Sequence, residues 1–198
     1  MTTITRVRKT LLALSAASAV AIGSFGAAAQ IQLPSASAAQ APTASDTAMA
    51  QEKLNSFYKP ALKGEFPGNP AGFVIGKTTR SEIIDKFGQP EVARTSVNGF
   101  DSYTANMGNP GYAMSYTTSG VLKEIRYFGT NVERQTNIGG ITMAMVKKNW
   151  YAPTSATTIK NGNTTQTKLT YKRGEYNIEF IFNNSLDLSH INLVEGKA

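Results

Sequence analysis

A stretch of this chain repeats itself at a constant spacing of 63 residues. Residues 75–93 read IGKTTRSEIIDKFGQPEVA, and residues 138–156 read IGGITMAMVKKNWYAPTSA. Self-similarity at a fixed period is the sequence signature of repeated supersecondary units. The chain is therefore predicted to contain two copies of one folding unit. The matched positions are Ile75 with Ile138, Gly76 with Gly139, Thr79 with Thr142, Ile83 with Val146, Phe87 with Trp150 and Pro90 with Pro153.

Each copy is predicted to open with a short amphipathic helix. Thr79 and Glu82 have the spacing of a capping box, in which the hydroxyl and the carboxylate bind the first free backbone amides. Ile83 and Phe87 follow one turn apart on one face of that helix, and Gly88 ends it. The second copy is expected to repeat this plan with Thr142 as the cap and with Met143, Val146 and Trp150 as the buried stripe.

Alternating apolar and polar residues after each helix predict antiparallel strands. These strands are expected at about 100–105, 112–117 and 122–128 in the first copy. In the second copy they are expected at 167–172 and 175–182, joined by a tight turn at Arg173-Gly174. Successive side chains of a strand point to opposite faces, so one face of the sheet is apolar and packs against the helices. The predicted fold class is α+β, with two tandem helix-plus-antiparallel-sheet repeats packed as one domain.

The other face of the predicted sheet is polar and is the main candidate binding surface. Two aromatic residues, Tyr103 and Phe128, alternate less regularly than the others and are expected to be exposed for stacking on a ligand. The cations of the face are expected to lie beside its carboxylates and to form salt bridges in solvent. The charged or titratable residues assigned to this face are Glu124, Arg126, Lys168, Lys172, Glu179 and His190.

The first 29 residues have the order of a secretory signal peptide. Three basic residues within positions 6–9 precede an apolar run from Leu11 to about Phe25, and Ala27-Ala28-Ala29 follows. A retained membrane helix would need about 20 predominantly apolar residues, and this run is shorter. A cut after Ala36-Ser37-Ala38 would also satisfy the small-residue rule. The chain is therefore expected to be secreted, with no stable membrane insertion after signal cleavage.

The rest of the chain divides into a leader and one domain. Residues 30–45 carry no charge and are rich in Ala, Ser and Gln, which predicts a disordered leader. Residues 46–198 are predicted to form a single α+β domain. It consists of an N-terminal helix at 46–63, capped by Ser45 or Asp46 and interrupted by Pro60, then repeat one at about 73–129 and repeat two at about 136–194.

Composition restricts the chemistry that is available. The chain contains no cysteine, so it has neither disulfides nor thiolate chemistry. Loss of the signal peptide would leave 17 Lys and Arg against 13 Asp and Glu, which lowers the net charge from +7 to +4. This mild positive charge is compatible with an anionic cell-wall polymer as a partner but does not indicate nucleic acid. No metal-ligand spacing is recognisable, and no cofactor is predicted.

Catalysis is expected to be absent because its usual partners are missing. His190 is the single histidine; Ser189 is its direct neighbour and is expected to point to the other face. Glu124 and Glu179 would approach each other if the two sheets merge, and a pair of acids is what a glycosidase needs. The neighbouring cations favour a salt-bridged surface instead.

Three segments of the chain resemble the YjgB-like family of secreted Bacillus-type proteins, which carries a domain of unknown function. They are KGEFPG, IGKTTRSEIIDKFGQPE and HINLVEG, and the resemblance covers about Lys53 to Glu195. The doubled unit and its helix opening also resemble the fold of the β-lactamase inhibitor protein and of small outer-membrane assembly lipoproteins. That inhibitor has disulfides in both halves, whereas this chain has no cysteine. Fold likeness alone does not transfer function.

Three functions remain open at this point. The preferred prediction is a secreted non-enzymatic binding domain that presents the polar face to an extracellular protein, as the inhibitor-like fold implies, or to an anionic cell-wall polymer. The alternative is an extracellular hydrolase acting on cell-wall glycans, with Glu124, Glu179 and His190 as its candidate catalytic residues. A hydrolase predicts a cleft with a carboxyl group of raised pKa, a binding domain predicts a broad, salt-bridged face, and an assembly factor predicts an exposed apolar groove.

Overall fold

The chain folds as an α+β structure in which short helices cover one face of a seven-stranded sheet. The computed structural model describes residues 43–196, so the predicted signal peptide and most of the predicted leader lie outside the described residues. The helices are α1 (Ala44–Ser56), α2 (Tyr58–Ala61), α3 (Arg80–Phe87), α4 (Asn137–Gly140) and α5 (Met143–Trp150), and a 3₁₀ turn spans Glu133–Thr136.

All neighbouring strands of the sheet are antiparallel, and their order is β1-β2-β3-β7-β6-β5-β4. The central pair β3–β7 joins the two parts of the chain that were predicted as separate repeats. The predicted tight turn is present, because β5 ends at Arg173 and Gly174 has a φ of 61°. The strands are β1 (Asp101–Tyr103), β2 (Gly111–Tyr116), β3 (Leu122–Gly129), β4 (Ser155–Asn161), β5 (Thr164–Arg173), β6 (Tyr176–Asn184) and β7 (Asp187–Glu195).

The N-terminal helix begins earlier than predicted and is divided in two. Thr43 and Asp46 form the capping box, so α1 starts at Ala44 rather than at 46. Helix α1 ends at Ser56 because the ring of Pro60 would collide with the carbonyl group four residues before it. The chain then makes the short helix α2, which ends at Ala61 rather than 63.

The hydrophobic core lies between the helices and one face of the sheet. Twelve strand residues that alternation places on the inward face are buried in this core. Edge-to-face contacts between aromatic rings dominate the centre, as between Phe57 and Tyr127 with centroids 5.2 Å apart and between Trp150 and Phe180 at 5.1 Å. The twelve residues are Tyr112, Met114, Tyr116, Ile125, Tyr127, Leu169, Tyr171, Tyr176, Ile178, Phe180, Ile191 and Leu193.

A buried carboxylate fixes the start of α3 on the sheet. Asp101 of β1 is fully buried and accepts two hydrogen bonds from the guanidinium group of Arg80, at 2.6 and 3.2 Å. It also accepts the backbone N–H of Arg94 at 2.9 Å. A buried charge is stable only when it is paired and hydrogen-bonded. The short strand β1 is therefore held by side-chain contacts as well as by its three residue pairs with β2.

A second carboxylate fastens α1 to the sheet. Glu133 accepts hydrogen bonds from the hydroxyl of Tyr127 at 2.6 Å and from the backbone N–H of Thr130 at 2.7 Å, and it forms an ion pair with Lys53 at 3.0 Å. Burial alone would raise the pKa of Glu133, but these donors together lower it. Residues from α1, β3 and the 3₁₀ turn thus meet at one side chain.

A candidate binding site on the outer face of the sheet

The sheet face that points away from the core, here called the outer face, carries a shallow cavity of about 350 Å³. Side chains from β3, β4, β5, β6 and β7 line it. Five of the eight predicted site residues meet in this cavity: Glu124, Arg126, Lys168, Glu179 and His190. The remaining lining residues are Ile159, Lys160, Gln166, Ile181, Asn192 and Val194.

Strand register explains why these residues lie side by side. Arg126 of β3 is opposite Asn192 of β7, and Asn192 is opposite Glu179 of β6. Glu179 is in turn opposite Thr170 of β5. Directly opposed residues on antiparallel strands have neighbouring side chains. The centre of the outer face is therefore a polar row that crosses four strands, from β3 to β5.

Two ion pairs lie within the cavity. The Nε atom of Arg126 is 2.7 Å from Oε1 of Glu124, and the Nζ atom of Lys168 is 2.8 Å from Oε1 of Glu179. The guanidinium group of Arg126 also stacks on the ring of Phe100, 4.0 Å from its centroid. The salt bridges expected on this face are thus present, and two cations of the cavity already have carboxylate partners.

His190 is held as a neutral side chain at one end of the cavity. Its ring packs against Phe128 with centroids 5.4 Å apart, and its Nδ1 atom is 3.0 Å from Oγ of Ser189. Burial, followed by the charges of Arg126 and Arg134, lowers the pKa of His190 to about 4. No carboxylate forms a hydrogen bond with this ring among the described residues. The imidazole therefore lacks the orienting acid of a catalytic histidine.

The side chain of Ser189 lies on the same face as His190, so the prediction that it points to the other face is wrong. The strand register explains the difference. Ile181 is opposite His190, whereas Phe182 is opposite Leu188, which leaves Ser189 as an extra residue in β7. Such a β-bulge interrupts the strict alternation of side chains. Leu188 and Ile191 are consequently both buried in the core although three positions separate them.

Asn192 is a site residue that sequence reasoning did not select. Its side chain lines the cavity, but the residue is only 5% exposed. Its Nδ2 atom donates a long hydrogen bond of 3.5 Å to Glu179, while Oδ1 is buried and has no hydrogen-bond partner among the described residues. Strand alternation places Asn192 on the polar face, yet no local pattern separates a buried asparagine from an exposed one.

Three predicted site residues differ from expectation. Tyr103 is not exposed: it is 8% accessible, packs against Phe87 and donates a hydrogen bond to the carbonyl oxygen of Gly88 at 3.3 Å. Burial raises the pKa of Tyr103 to about 12. Phe128 is half-buried because His190 covers its ring. Lys172 lies outside the cavity and lines a second one of about 450 Å³.

Other kinds of site have little support in the part of the chain that the structure describes. Among residues 43–196, no group of three or more His, Asp or Glu side chains is arranged to hold a metal ion. Within the same range, none of the helices has the length and apolarity that crossing a membrane requires.

The helices and the antiparallel sheet define an α+β domain, and the chain belongs to the family described as Domain of unknown function (DUF4309). The family model matches residues 54–194. This match confirms the resemblance to the YjgB-like family that was predicted from about Lys53 to Glu195.

Comparisons of sequence and of structure both show that the chain is similar to YjgB of Bacillus subtilis. The sequence is 37% identical over 191 residues to the "Uncharacterized protein YjgB" of strain 168, covering 94% of this chain and 98% of that protein. The fold is similar to the crystal structure of a DUF4309 family protein (YjgB) from Bacillus subtilis subsp. subtilis str. 168. That comparison has a TM-score of 0.67 at 35% identity and covers 75% of this chain and 99% of the other.

Proposed function

We propose that this chain is a secreted, non-enzymatic binding module that holds its ligand on the outer face of the sheet. The observation that carries this proposal is the polar row through Arg126, Asn192 and Glu179, which lies in an open cavity and is flanked by two ion pairs. Side chains that ion pairs already hold in place lose little further conformational freedom when a ligand binds. The predicted signal peptide supports an extracellular location.

The alternative function, an extracellular hydrolase acting on cell-wall glycans, has less support. Glu124 forms an ion pair with Arg126 and Glu179 forms one with Lys168, so both carboxylates already have cationic partners. A glycosidase needs one carboxyl group that is protonated at working pH to act as the general acid. His190 is neutral, and no carboxylate of residues 43–196 forms a hydrogen bond that would orient its ring. Among the described residues, the outer face therefore has polar and charged side chains for binding a ligand but lacks the paired general acid and base of a hydrolase.

The ligand of this module was predicted to be an extracellular protein or an anionic cell-wall polymer. A polyanion would be attracted chiefly by cations that have no partner, but Arg126 and Lys168 are already paired. Lys160 is the lining cation to which the described residues supply no salt bridge. Wall association is still compatible with the mild positive charge of the mature chain.

Co-sedimentation with cell walls tests the proposal. The chain without residues 1–29 would be mixed with native walls and with walls stripped of anionic polymer, over a series of salt concentrations. We expect binding, and we expect the double variant Lys160→Ala/Lys168→Ala to sediment less because both lysines line the cavity. Lys147→Ala/Lys148→Ala, which removes the same charge from helix α5, is the matched control and should sediment like the unchanged chain.

Each result of this experiment has a defined meaning. Binding that disappears on stripping and weakens steeply with salt would indicate the anionic polymer. Binding that survives stripping would indicate the remaining glycan or a wall protein. Equal sedimentation of both double variants would show that the outer face is not the binding site, and absence of sedimentation would reject wall association.

We also propose that the domain consists of two duplicated helix-plus-sheet units. Helices α3 and α5 both have eight residues, begin 63 positions apart and are capped by Thr79 and Thr142. The residues that follow the two helices share an unusual backbone conformation: Gly88 has φ 86° and ψ −177°, and Tyr151 has φ 63° and ψ −157°. Matching conformations at matched positions support a common origin, despite the change from glycine to tyrosine.

The strands give a second argument for duplication. Tyr116 is opposite Leu122 in β2–β3, and Phe182 is opposite Leu188 in β6–β7, each next to a shift in register. Both partners of the second pair lie 66 positions after those of the first. The order β1-β2-β3 on one side of the centre thus corresponds to β5-β6-β7 on the other. The likeness to the inhibitor and to the assembly lipoproteins depends on this layout and is part of the same proposal.

A further inference from the structure

The two edges of the sheet differ in how much of their backbone is covered. At one edge, β1 is three residues long, and the N–H groups of Val92 and Ser102 each donate to the carbonyl oxygen of the other, at 3.2 and 2.8 Å. At the other edge, β4 runs for seven residues, Ser155–Asn161. Residues 43–196 supply no hydrogen bond to its outer side. One edge is thus closed, and the other is open for pairing.

The hairpin that joins β4 to β5 determines which backbone groups of β4 point away from the sheet. Asn161 is opposite Thr164, and Gly162, with φ 58°, is the first of the two loop residues between them. A two-residue hairpin loop closes on a hydrogen-bonded residue pair, and pairs with and without hydrogen bonds then alternate along the strands. The N–H and C=O groups that point outward therefore belong to alternate residues, namely Ala156, Thr158 and Lys160.

Strand β4 has few of the features that protect an edge strand from pairing. Proteins blunt such edges with short strands, bulges, proline or charged side chains. Strand β4 pairs with β5 without a bulge, contains no proline, and carries a single charge at Lys160. Its centre, Thr157-Thr158-Ile159, is a run of β-branched residues, which are favoured in strands. The strand is therefore suited to accept another strand.

We propose that two copies of this chain pair through β4, with the two strands antiparallel and centred on Thr158. In this register Thr158 meets Thr158 of the second copy, and Ala156 meets Lys160. All the outward backbone groups of one copy then face those of the other, and each such pair of residues exchanges two hydrogen bonds. Registers shifted to either side would pair fewer of these groups.

The position of the charge favours this register and makes a second copy a suitable partner. Lys160 lies opposite Ala156 of the second copy, so like charges do not meet. The two Lys160 side chains are four residues apart along the strands, about 13 Å. Their repulsion is largely screened at that distance, because the Debye length is about 10 Å in 0.1 M salt. Ile159 lies opposite Thr157 of the second copy, and such cross-strand pairs of β-branched residues stabilise a sheet.

This dimer would join the outer faces of two chains into one surface. The two-fold axis that relates two antiparallel strands is perpendicular to the sheet, so both outer faces lie on the same side. Ile159 and Lys160 of β4 line the outer-face cavity, so the two cavities adjoin across the interface. A ligand with repeating units can then contact both cavities, which raises its apparent affinity. The dimer itself does not depend on the proposed function, because it forms without a ligand.

Sedimentation equilibrium of the chain without residues 1–29 tests the dimer. The weight-average mass should rise from one chain towards two between about 10 μM and about 1 mM, the range expected for an interface smaller than about 1,200 Å². Amide hydrogen exchange followed by NMR gives an independent readout. The amide of Thr158 should be protected only at the high concentration, whereas the amide of Thr157 points to β5 and should be protected at both.

Substitutions in β4 test the register. Ala156→Glu places a carboxylate opposite Lys160 of the second copy and should tighten dimerisation about threefold or more, whereas Ala156→Lys should weaken it by a similar factor. Thr158→Pro removes an outward N–H and no bond to β5, so it should abolish the dimer while the domain stays folded. Ser81→Glu and Ser81→Lys make the same charge changes at an exposed position of α3 and are the matched controls. They should leave dimerisation unchanged.

Three results would overturn the inference. The first is a chain that stays monomeric at every concentration. The second is a dimer that Thr158→Pro leaves intact or in which the two Ala156 variants associate equally, since the contact then lies elsewhere. The third is protection of the Thr158 amide in the monomer, which would show that a segment of the same chain covers β4. None of these results bears on sedimentation with cell walls, so the dimer and the proposed function can fail separately.

Discussion

His190 makes the stability of the fold depend on pH. Its pKa is about 4 in the folded chain against the ordinary value of 6.5, with burial as the larger cause and the charges of Arg126 and Arg134 as the others. Between these values the unfolded chain binds a proton that the folded chain does not bind. The free energy of unfolding must therefore fall as the pH is lowered from about 6.5 to about 4. Above this window His190 is neutral in both states and its contribution is constant.

Replacement of His190 by glutamine is expected to remove this part of the pH dependence. A pKa unit corresponds to about 1.4 kcal/mol, so the loss of stability between pH 7.5 and 4 should be smaller in the variant by up to about 3 kcal/mol. Urea unfolding at several pH values measures this difference. Carboxyl groups with a lowered pKa, such as that of Asp101, also make the fold less stable at low pH. They do so equally in both proteins, so their effect cancels in the comparison. Parallel pH profiles would contradict the prediction.

Tyr151 stores backbone strain at an exposed position. Its φ of 63° and ψ of −157° lie in a region that is essentially restricted to glycine, and its side chain is 80% exposed. Tyr151→Gly should therefore raise the free energy of unfolding by about 1 kcal/mol, with strain relief partly offset by the greater freedom of glycine in the unfolded chain. Tyr151→Ala removes the ring but keeps the strain and should give no gain. Thermal unfolding of the two variants shows whether the ring of Tyr151 or its backbone conformation lowers the stability.

At the scale of single elements, the two capped helices offer an internal comparison. Thr79 of α3 belongs to a complete capping box, because the carboxylate of Glu82 accepts the backbone N–H of Thr79 at 2.7 Å. Thr142 of α5 caps through its hydroxyl, which accepts the N–H of Met145 at 3.2 Å, and the third helical residue there is methionine. The capping box thus satisfies one more backbone donor than the simple cap does.

Thr79→Ala and Thr142→Ala should both lower the stability of the fold, each by about 1 kcal/mol. The loss at Thr79 should be the larger one, because it also frees the carboxylate of Glu82 from the threonine hydroxyl, with which it forms a 2.8 Å hydrogen bond. Chemical denaturation of the two variants gives the ranking. Thr47→Ala, on the exposed side of α1, tests the background effect of losing a threonine. A larger loss of stability in Thr142→Ala would contradict the expectation that the capping box of α3 stabilises the fold more than the simple cap of α5.

Elements with a strong local signal could be predicted, and elements fixed by distant contacts could not. Capping and periodicity located α3 and α5, and alternation located β2, β3, β5 and β6. Strand β4, Ser155–Asn161, was missed because its sequence SATTIKN alternates weakly and its residues are mostly exposed at the sheet edge. The bulge at Ser189 depends on pairing with β6, which local sequence does not specify.

Considered as a whole, the molecule depends on a few side chains that join distant segments. Glu133 is the clearest case, since it binds Tyr127 in the sheet and Lys53 in α1. The sequence predicted an N-terminal helix but not the group that would hold it on the sheet, because Glu133 lies 6 positions from Tyr127 and 80 positions from Lys53. The same limit applies to the β3–β7 pairing, which turns two predicted sheets into one.

Glu133→Gln is expected to destabilise the domain by about 1–3 kcal/mol, because it replaces a charge that accepts hydrogen bonds from Tyr127 and Thr130 in a partly buried site. Lys53→Met removes only the more exposed partner and should cost less than about 1 kcal/mol. Differential scanning calorimetry of both variants measures the contrast. If the lysine variant were the less stable one, the ion pair with α1 would contribute more to stability than the buried hydrogen bonds of Glu133.

The extra residue in β7 also governs which changes of length the domain can survive. Deleting Ser189 would leave Leu188, His190 and Ile191 in strict alternation, so every later side chain would keep its face. Deleting Asn192 would instead turn Leu193 outward and expose an apolar side chain that is now fully buried. Single-residue gaps among homologous chains should therefore gather at position 189 and avoid position 192, which makes the bulge a place where evolution can shorten the strand without refolding the protein.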